Sequence, residues 1–533
     1  MSLLSLPEDV LHEVLDKLAL AMGNEAKSYN DDPTNYLGWR LTLYNVARTN
    51  RTLHRLAIPY LYRSIFLPYS FRQGMVSLLR SLATIPDLGK YTRTLALSAR
   101  NESFEDATAE AQAKEAFRAY GWGSLELTPR ARRFLPACLG ENWNPQIGPD
   151  GKLQELVLED PLDVVVEDAD WEDEFDDTLE SVVTAIISQT TRLETLILLA
   201  PASAEFHPYG LMHASLVRMH EKVSKRSEML PHLSKIVVPW NRADSAENPH
   251  LEDRRVNRTL VGDLLQYGYV RELGVPAEDL VSGLLTVNKM FWVRWLARVE
   301  VLHLSGVLWL DKHWITMFGA LRKLRVLKFT ESNFDKYRDT DAEGSMNEAL
   351  LRVKGTLKSL SIISTAKESA LFSRNLVPDC NLSCLPLLNN LTYLRAPSFV
   401  LFGSPFHLPD LPAPTGTPED EVGYDKWDLR NMLPPSIVNV RIEEDWAYYN
   451  IRDMDRWSGE RQLGYSIKTE RLLTLLVGHS KTKLPNLKSV EWRCSIDVGE
   501  ALHSPLVPDW PHKALRALGK ASGVKYTTRY EKP

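Results

Sequence analysis

The 533 residues of the chain exceed what one hydrophobic core usually organises, so more than one domain or an extended repeat is expected. Hydrophobic residues make up 44% of the chain and charged residues 25%, proportions that argue against wholesale disorder. The net charge of −6 excludes a global basic field, so nucleic acid and anionic membranes are disfavoured as the main partners.

Targeting and redox signals favour a reducing compartment. The N-terminus has no cationic stretch followed by an apolar run, so no signal peptide is predicted. No segment approaches about 18 uncharged apolar residues, so no membrane span is predicted. The four cysteines, Cys138, Cys380, Cys384 and Cys494, are too few for a disulfide framework. We expect a cytoplasmic or nuclear protein.

The first predicted element is a short amphipathic helix. Ser5 and Glu8 have the spacing of a capping box, and Pro7 falls in the first turn, where its missing N–H costs nothing. Apolar residues then follow at helical spacing, namely Leu6, Val10, Leu11, Val14, Leu15 and Leu18. Such a helix either caps a larger domain or docks a partner.

A second stretch of apolar residues at helical spacing follows at residues 41–65. A helix is predicted to begin with Leu41, Leu43, Val46 and Ala47. A further helical face contains Leu53, Leu56 and Ala57. Pro59 is expected to end that helix and to begin a new one. Residues 21–40 between the two stretches form a polar insertion with the composition of a loop.

The two stretches together resemble the F-box, in the form common among fungal proteins. The opening Leu6-Pro7-Glu8-Asp9-Val10-Leu11 resembles the start of that family's motif, and residues 55–63 resemble its end. The sequence departs from the motif at Asn50, where Cys or Ser is usual, and at Leu53, where an aromatic residue is frequent. The resemblance implies a three-helix domain over residues 1–67 that docks the Skp1 adaptor of a cullin–RING ubiquitin ligase. The docking residues it implies are Leu6, Pro7, Val10, Leu11, Val14, Leu15, Leu18, Leu43, Val46, Leu53, Leu56 and Pro59.

Most of the remaining chain carries one recurring pattern, in which a leading Leu is followed three residues later by Leu-x-(Leu/Ile/Phe). The repeat is degenerate, and its ten instances lie at residues 91–97, 153–158, 193–198, 233–238, 299–304, 324–329, 357–362, 391–396, 437–442 and 487–492. The Leu-x-(Leu/Ile/Phe) part of the pattern has the period of two expected of a half-buried strand. Segments with helical periodicity precede most instances.

This alternation resembles an irregular leucine-rich repeat over residues 91–500. The resemblance implies an α/β solenoid whose parallel sheet lines a concave face suited to binding a target protein. Residues 68–90 are expected to form a helical linker, and residues 501–533 a C-terminal tail or cap. The side chains expected on the concave face carry both charges and indicate no simple ligand.

Two insertions are candidate target-binding segments. Residues 159–177 are strongly acidic and form either a patch for a basic partner or a solvated loop. Residues 445–461 combine aromatic side chains with Arg and Asp, which is typical of interface anchors but also of a locally packed loop. The candidate target-binding side chains are Trp171, Phe175, Trp446, Tyr448, Tyr449 and Trp457.

Catalytic motifs are missing from the sequence. It contains no phosphate-binding loop, no nucleophile elbow and no zincin motif, and Cys380 and Cys384 lack a second ligand pair. We therefore predict no catalytic residue, metal or cofactor. The leading hypothesis is a non-catalytic substrate-recognition subunit of a Skp1–cullin–F-box ubiquitin ligase, which reaches the cullin through the adaptor. The alternative is a repeat scaffold for protein–protein interaction whose N-terminal helices only cap the solenoid. An enzyme with a site in residues 402–461 is a third, less favoured hypothesis.

Overall fold

The computed structural model describes residues 6–23, 33–68, 72–98, 126–139, 143–147, 153–158, 177–199, 216, 219, 229–238, 261–262, 264–266, 269–277, 280, 289–305, 313–330, 342–363, 382–397, 400–401, 428–445, 473–478, 480–495 and 510–531. The described strands are β1 (Ser64–Pro68), β2 (Thr94–Ser98), β3 (Trp143–Ile147), β4 (Leu153–Leu158), β5 (Thr195–Leu199), β6 (Lys235–Val237), β7 (Glu272–Pro276), β8 (Val301–Ser305), β9 (Val326–Thr330), β10 (Ser359–Ile363), β11 (Tyr393–Pro397), β12 (Asn439–Asp445), β13 (Ser489–Ser495) and β14 (Lys525–Glu531).

Helices lie between most of these strands. They are α1 (Glu8–Gly23), α2 (Pro33–Thr49), α3 (Arg51–Leu61), α4 (Arg72–Thr84), α5 (Pro129–Leu139), α6 (Asp177–Gln189), α7 (Lys289–Leu296), α8 (His313–Ala320), α9 (Ala342–Arg352), α10 (Leu429–Met432), α11 (Ser480–Lys483) and α12 (Trp510–Ser522). Twelve strands form one open sheet in the order β1-β2-β5-β6-β7-β8-β9-β10-β11-β12-β13-β14. The predicted α/β class with a parallel sheet is confirmed, whereas its identity as a leucine-rich-repeat solenoid stays a prediction.

The chain divides into two compact units, Met1–Leu273 and Gly274–Pro533. In the first unit, β1, β2, β5 and β6 pair in parallel, which aligns Phe66, Ala96, Ile197 and Val237 in one row across four strands. This row packs in the same hydrophobic cluster as α1, α2 and α3. Alternate residues such as Leu95 point to the opposite face and are also fully buried. These strands are therefore covered on both faces.

In the second unit, β8 to β14 pair in parallel in sequence order. Burial alternates along the strands: in β8, Leu302 and Leu304 are buried, whereas Val301, His303 and Ser305 are partly exposed. One face of the sheet is thus part of the core, and the other presents half-exposed side chains.

The leading Leu of the repeated pattern has a constant structural role. Leu324, Leu357 and Leu391 are each fully buried just before a strand. The carbonyl of the residue that follows each of them accepts two backbone N–H groups from the start of the next strand, as Lys358 does from Thr392 and Tyr393 at 2.8 and 3.0 Å. The same pair of backbone hydrogen bonds recurs at carbonyls from Arg63 to Val438, with Tyr, Thr, Val or Ile before some of them in place of Leu, so the backbone unit is more regular than the sequence pattern.

The expected strand at residues 153–158 forms, but not as a member of the main sheet. β4 pairs antiparallel with β3 in a separate two-stranded sheet. A short connection favours an antiparallel hairpin, whereas a parallel pair needs a crossover of a dozen or more residues. The prediction that this segment belongs to the parallel sheet was wrong because the motif describes any half-buried strand.

Three segments outside the predicted repeat region contain regular structure. α1 extends to Gly23 and α2 begins at Pro33, so residues 33–40 of the predicted loop are helical. Pro33 is at the first helical position, where its fixed φ suits a helix start. The expected linker 68–90 contains α4, and the expected tail or cap 501–533 contains α12 and β14, which pairs with β13.

Candidate functional site

The helices α1, α2 and α3 pack around a shared core. Its buried members from these helices are Leu11, Leu15, Leu43, Ala47, Leu53, Leu56, Ala57 and Leu61. The side-chain Oδ1 of Asn50 accepts a hydrogen bond from the Leu53 N–H at 2.9 Å and caps the start of α3. Asn is as good a helix N-cap as Ser, so the departure from the F-box pattern at this position leaves the local structure intact.

The apolar side chains of α1 point in two directions. Leu11 and Leu15 are buried in the shared core, whereas Val10 and Val14 remain 39% and 44% exposed. Because Val10 and Val14 are four residues apart, they lie on one side of the helix. The exposed pair is therefore left available to a partner, and the buried pair holds the three helices together.

A second exposed apolar group lies on α2. Trp39, Leu41 and Tyr44 are 37%, 58% and 47% exposed, whereas Leu43 is fully buried. Leu41 and Tyr44 are three residues apart and so share a helix face, and Arg48 continues it with its guanidinium 5.5 Å from the Tyr44 ring centroid. Trp39 was not predicted as a contact residue because it lies in residues 21–40, which were expected to form a loop. Leu41 and Tyr44 lie in a predicted helix but are not among the docking residues that the F-box resemblance implies. The spacing of three residues between Leu41 and Tyr44 was the available signal for that pair.

Polar contacts fix the position of α1. Arg55 Nη2 donates to both carboxylate oxygens of Glu8, and Arg63 pairs with Asp16. The Tyr60 hydroxyl donates to the His12 carbonyl at 3.2 Å. Burial and the negative charge of Asp16 raise the pKa of Tyr60, which the positive charge of Arg63 partly offsets.

The predicted docking residues fall into two groups. Pro7, Val10 and Val14 are exposed, and Leu6, Leu18, Val46 and Pro59 are partly buried. The remaining ones are buried in the shared core, namely Leu11, Leu15, Leu43, Leu53 and Leu56. A buried side chain acts on a partner only by holding the helices in place, so direct contact is restricted to the exposed and partly buried residues. Whether any of them docks an adaptor stays a prediction.

The predicted target-binding side chains Trp171, Phe175, Trp446, Tyr448, Tyr449 and Trp457 lie outside the described residues, as does most of the acidic segment 159–177. Among the residues that the structure describes, no group of His, Cys, Asp and Glu is arranged to hold a metal ion. No helix in the same part of the chain is long and apolar enough to cross a membrane.

A comparison of the sequence with protein-family models and with curated proteins finds no match.

Proposed function

We propose that the chain is a substrate-recognition subunit of a Skp1–cullin–F-box type ubiquitin ligase. The adaptor-docking face consists of Pro7, Val10 and Val14 on and just before α1, with Trp39, Leu41 and Tyr44 on α2. One observation carries the proposal: of the eight large hydrophobic side chains that are exposed in the described chain, five lie on α1 and α2.

Exposed apolar side chains are individually ordinary, but a concentration of them marks an interaction site. Covering such a surface contributes about 25 cal/mol per Å² of apolar area removed from water. The face is helical and apolar, which suits docking of helices against a hydrophobic groove. The resemblance of residues 6–11 and 55–63 to the F-box identifies a Skp1-like adaptor as the partner in this proposal.

The contribution of such a subunit to ubiquitin transfer is proximity. The sheet holds a target protein, and the N-terminal helices connect it through the adaptor to the cullin and its ubiquitin-charged enzyme. Raising the effective concentration of two reactants requires no bond-making residue in this chain.

Binding to an immobilised Skp1-like adaptor tests the proposal. Purified full-length chain is expected to be retained, and Val14→Asp is expected to reduce retention without changing the circular dichroism spectrum. If wild-type chain is not retained, the proposal is wrong.

A second candidate is a scaffold in which α1, α2 and α3 serve only as a fixed cap on the sheet. The core that these helices share with Phe66, Ala96 and Ile197 favours it. A scaffold of this kind binds no adaptor, so the same experiment separates the two candidates.

A further inference from the structure

Arginines and glutamates cluster on the half-exposed face of β11 to β14. Arg395 of β11 lies opposite Arg441 of β12 in the strand register, and Arg493 of β13 lies opposite Arg529 of β14. Like charges placed directly opposite each other on neighbouring strands are destabilising. We call these four arginines with Glu443 and Glu491 the arginine cluster.

Each glutamate is shared between two arginines. Glu443 Oε1 lies 2.6 Å from Arg395 Nη2 and 2.8 Å from Arg441 Nη2. Glu491 Oε1 lies 2.8 Å from Arg493 Nε and 3.4 Å from Arg529 Nε. Among these six described side chains, four guanidinium groups face two carboxylates, which is a surplus of two positive charges.

Arg441 is the least exposed of the four arginines. Its side chain is 12% exposed, its Nη2 is paired with the Glu443 carboxylate, and its Nε is buried without a hydrogen-bond partner. Burial lowers the pKa of Arg441, an effect that Glu443 opposes and that the neighbouring Arg395 and Arg493 reinforce. A buried donor left unpaired costs free energy that an incoming acceptor recovers.

The row that contains Arg395 continues across the neighbouring strands. Arg395 is in register with Ser361 of β10, which is in register with Lys328 of β9 and through it with His303 of β8. At about 4.8 Å per strand, the four arginines alone extend over about 14 Å. That width exceeds one small anion and matches a chain carrying several acidic groups.

We propose that the arginine cluster binds an acidic peptide segment of another protein through its side-chain carboxylates. Arginine presents a planar set of donors that matches a carboxylate, and charge-assisted hydrogen bonds of this type are the strong ones. A nucleic acid also presents anionic groups to arginine, and competition with an oligonucleotide distinguishes it from an acidic peptide. That the bound protein is the one presented for ubiquitin transfer rests on the proposed function; the binding itself does not.

The test uses the full-length chain without an adaptor and a short fluorescein-labelled peptide in which Glu alternates with Gly. Fluorescence anisotropy is expected to report binding that the matched Gln–Gly peptide does not give and that added salt weakens. Because no adaptor is present, failure here leaves the adaptor interaction untouched, and failure of adaptor binding leaves this result untouched.

Charge variants localise the binding. Arg441→Gln and Arg529→Gln are each expected to weaken it about tenfold, the loss expected for one charge-assisted hydrogen bond. Arg529 is 66% exposed, so its variant remains informative if Arg441→Gln fails to fold. Arg352→Gln, an exposed arginine on α9, is the matched control and is expected to bind as wild type.

Glu443→Gln is the most discriminating variant because the proposal predicts that it binds the peptide more tightly than the wild type. Removing the carboxylate that occupies Arg395 and Arg441 is expected to tighten peptide binding, whereas a purely structural ion network predicts no gain. Equal binding of the Glu and Gln peptides, wild-type affinity of both arginine variants, or no gain in Glu443→Gln would each overturn the proposal. So would binding of a phosphoserine peptide without the Glu peptide, or displacement of the Glu peptide by an equal concentration of a single-stranded oligonucleotide.

Discussion

Arg55 Nη2 donates to both carboxylate oxygens of Glu8, at 3.0 and 3.1 Å, and joins the first turn of α1 to α3 across 47 residues of the chain. The predicted polar insertion between the two apolar stretches therefore does not keep the helices apart. Both side chains are more than half exposed, so water and salt screen the pair. The apolar core beneath it is the larger source of stability.

The first prediction compares this core with the surface pair. Leu15→Ala removes a side chain that is 3% exposed and is expected to lower the free energy of unfolding by about 2–5 kcal/mol. Glu8→Gln is expected to lower it by less than about 1 kcal/mol, because exposed ion pairs contribute little. Urea unfolding followed by circular dichroism measures both, and equal losses would contradict the account.

The second prediction concerns the attachment of the N-terminal helices to the sheet. Phe66 is 5% exposed and lies in the same cluster as Leu11 and Leu43. Phe66→Ala is expected to cost about 3–5 kcal/mol and to make α1–α3 more sensitive to limited proteolysis. Release of α1–α3 from native wild-type chain, with the rest left folded, would show that the shared core does not hold them.

Many strands of the sheet could be predicted from the sequence because the repeated pattern is a short contiguous segment. A buried Leu, a turn and a strand of period two together specify β5, β9 and β10 without knowledge of their neighbours. β1 was not predicted because Ile65-Phe66-Leu67 is buried on both faces and shows no alternation. β14 was not predicted because Lys525-Tyr526-Thr527 lacks the leading Leu pattern.

The third prediction concerns cysteine reactivity. Cys384 is 3% exposed, and burial raises its pKa to about 12. Since the thiolate is the nucleophile, Cys384 is expected to resist iodoacetamide in the native protein at about pH 8 and to react after unfolding in urea. Mass spectrometry of tryptic peptides measures the modification, and rapid native labelling of Cys384 would contradict its burial.

The fourth prediction concerns acid stability. Asp428 is 2% exposed and caps α10 by accepting from the Arg430 N–H at 2.9 Å. Burial opposes ionisation, but hydrogen bonds from Arg430 and the charges of Arg430 and Lys483 outweigh it and hold the pKa of Asp428 below its usual value. The stabilisation is therefore present above about pH 4, the pKa of an unfolded Asp, and is lost as pH falls through the lower folded pKa.

Asp428→Asn is expected to lower the free energy of unfolding by about 3 kcal/mol at neutral pH, because Arg430 then keeps a nearly buried charge without its partner. The difference between variant and wild type is expected to shrink at about pH 3, which lies below the pKa of Asp in the unfolded chain. Urea unfolding at both pH values measures it. A difference that grows on acidification would contradict the assigned direction of the pKa.

The candidate docking face was only partly predictable from the sequence. Helical spacing identifies the stripe of α1, but it does not say that Leu11 faces the core and Val10 faces outward. That distinction depends on where α2 and α3 pack, which is a tertiary property. Trp39 was missed because the polar residues before it suggested a loop, whereas Leu41 and Tyr44 fall in a predicted helix but outside the docking residues that the F-box resemblance implies. The repeated pattern predicts Arg395, Arg441 and Arg493 on one face of the sheet. Which of them lie opposite each other depends on strand register, which nonlocal pairing sets.

The most direct test of the account is the affinity of the full-length chain for a Skp1-like adaptor, measured by calorimetry for two matched variants. Leu41→Asp alters the docking face at a residue that is 58% exposed, and Leu387→Asp makes the same change at a residue that is 54% exposed elsewhere in the chain. We expect Leu41→Asp to weaken adaptor binding at least tenfold and Leu387→Asp to leave it unchanged. Adaptor binding that is equal in both variants and the wild type, or undetectable in all three, would contradict the claim that α1 and α2 form the docking face.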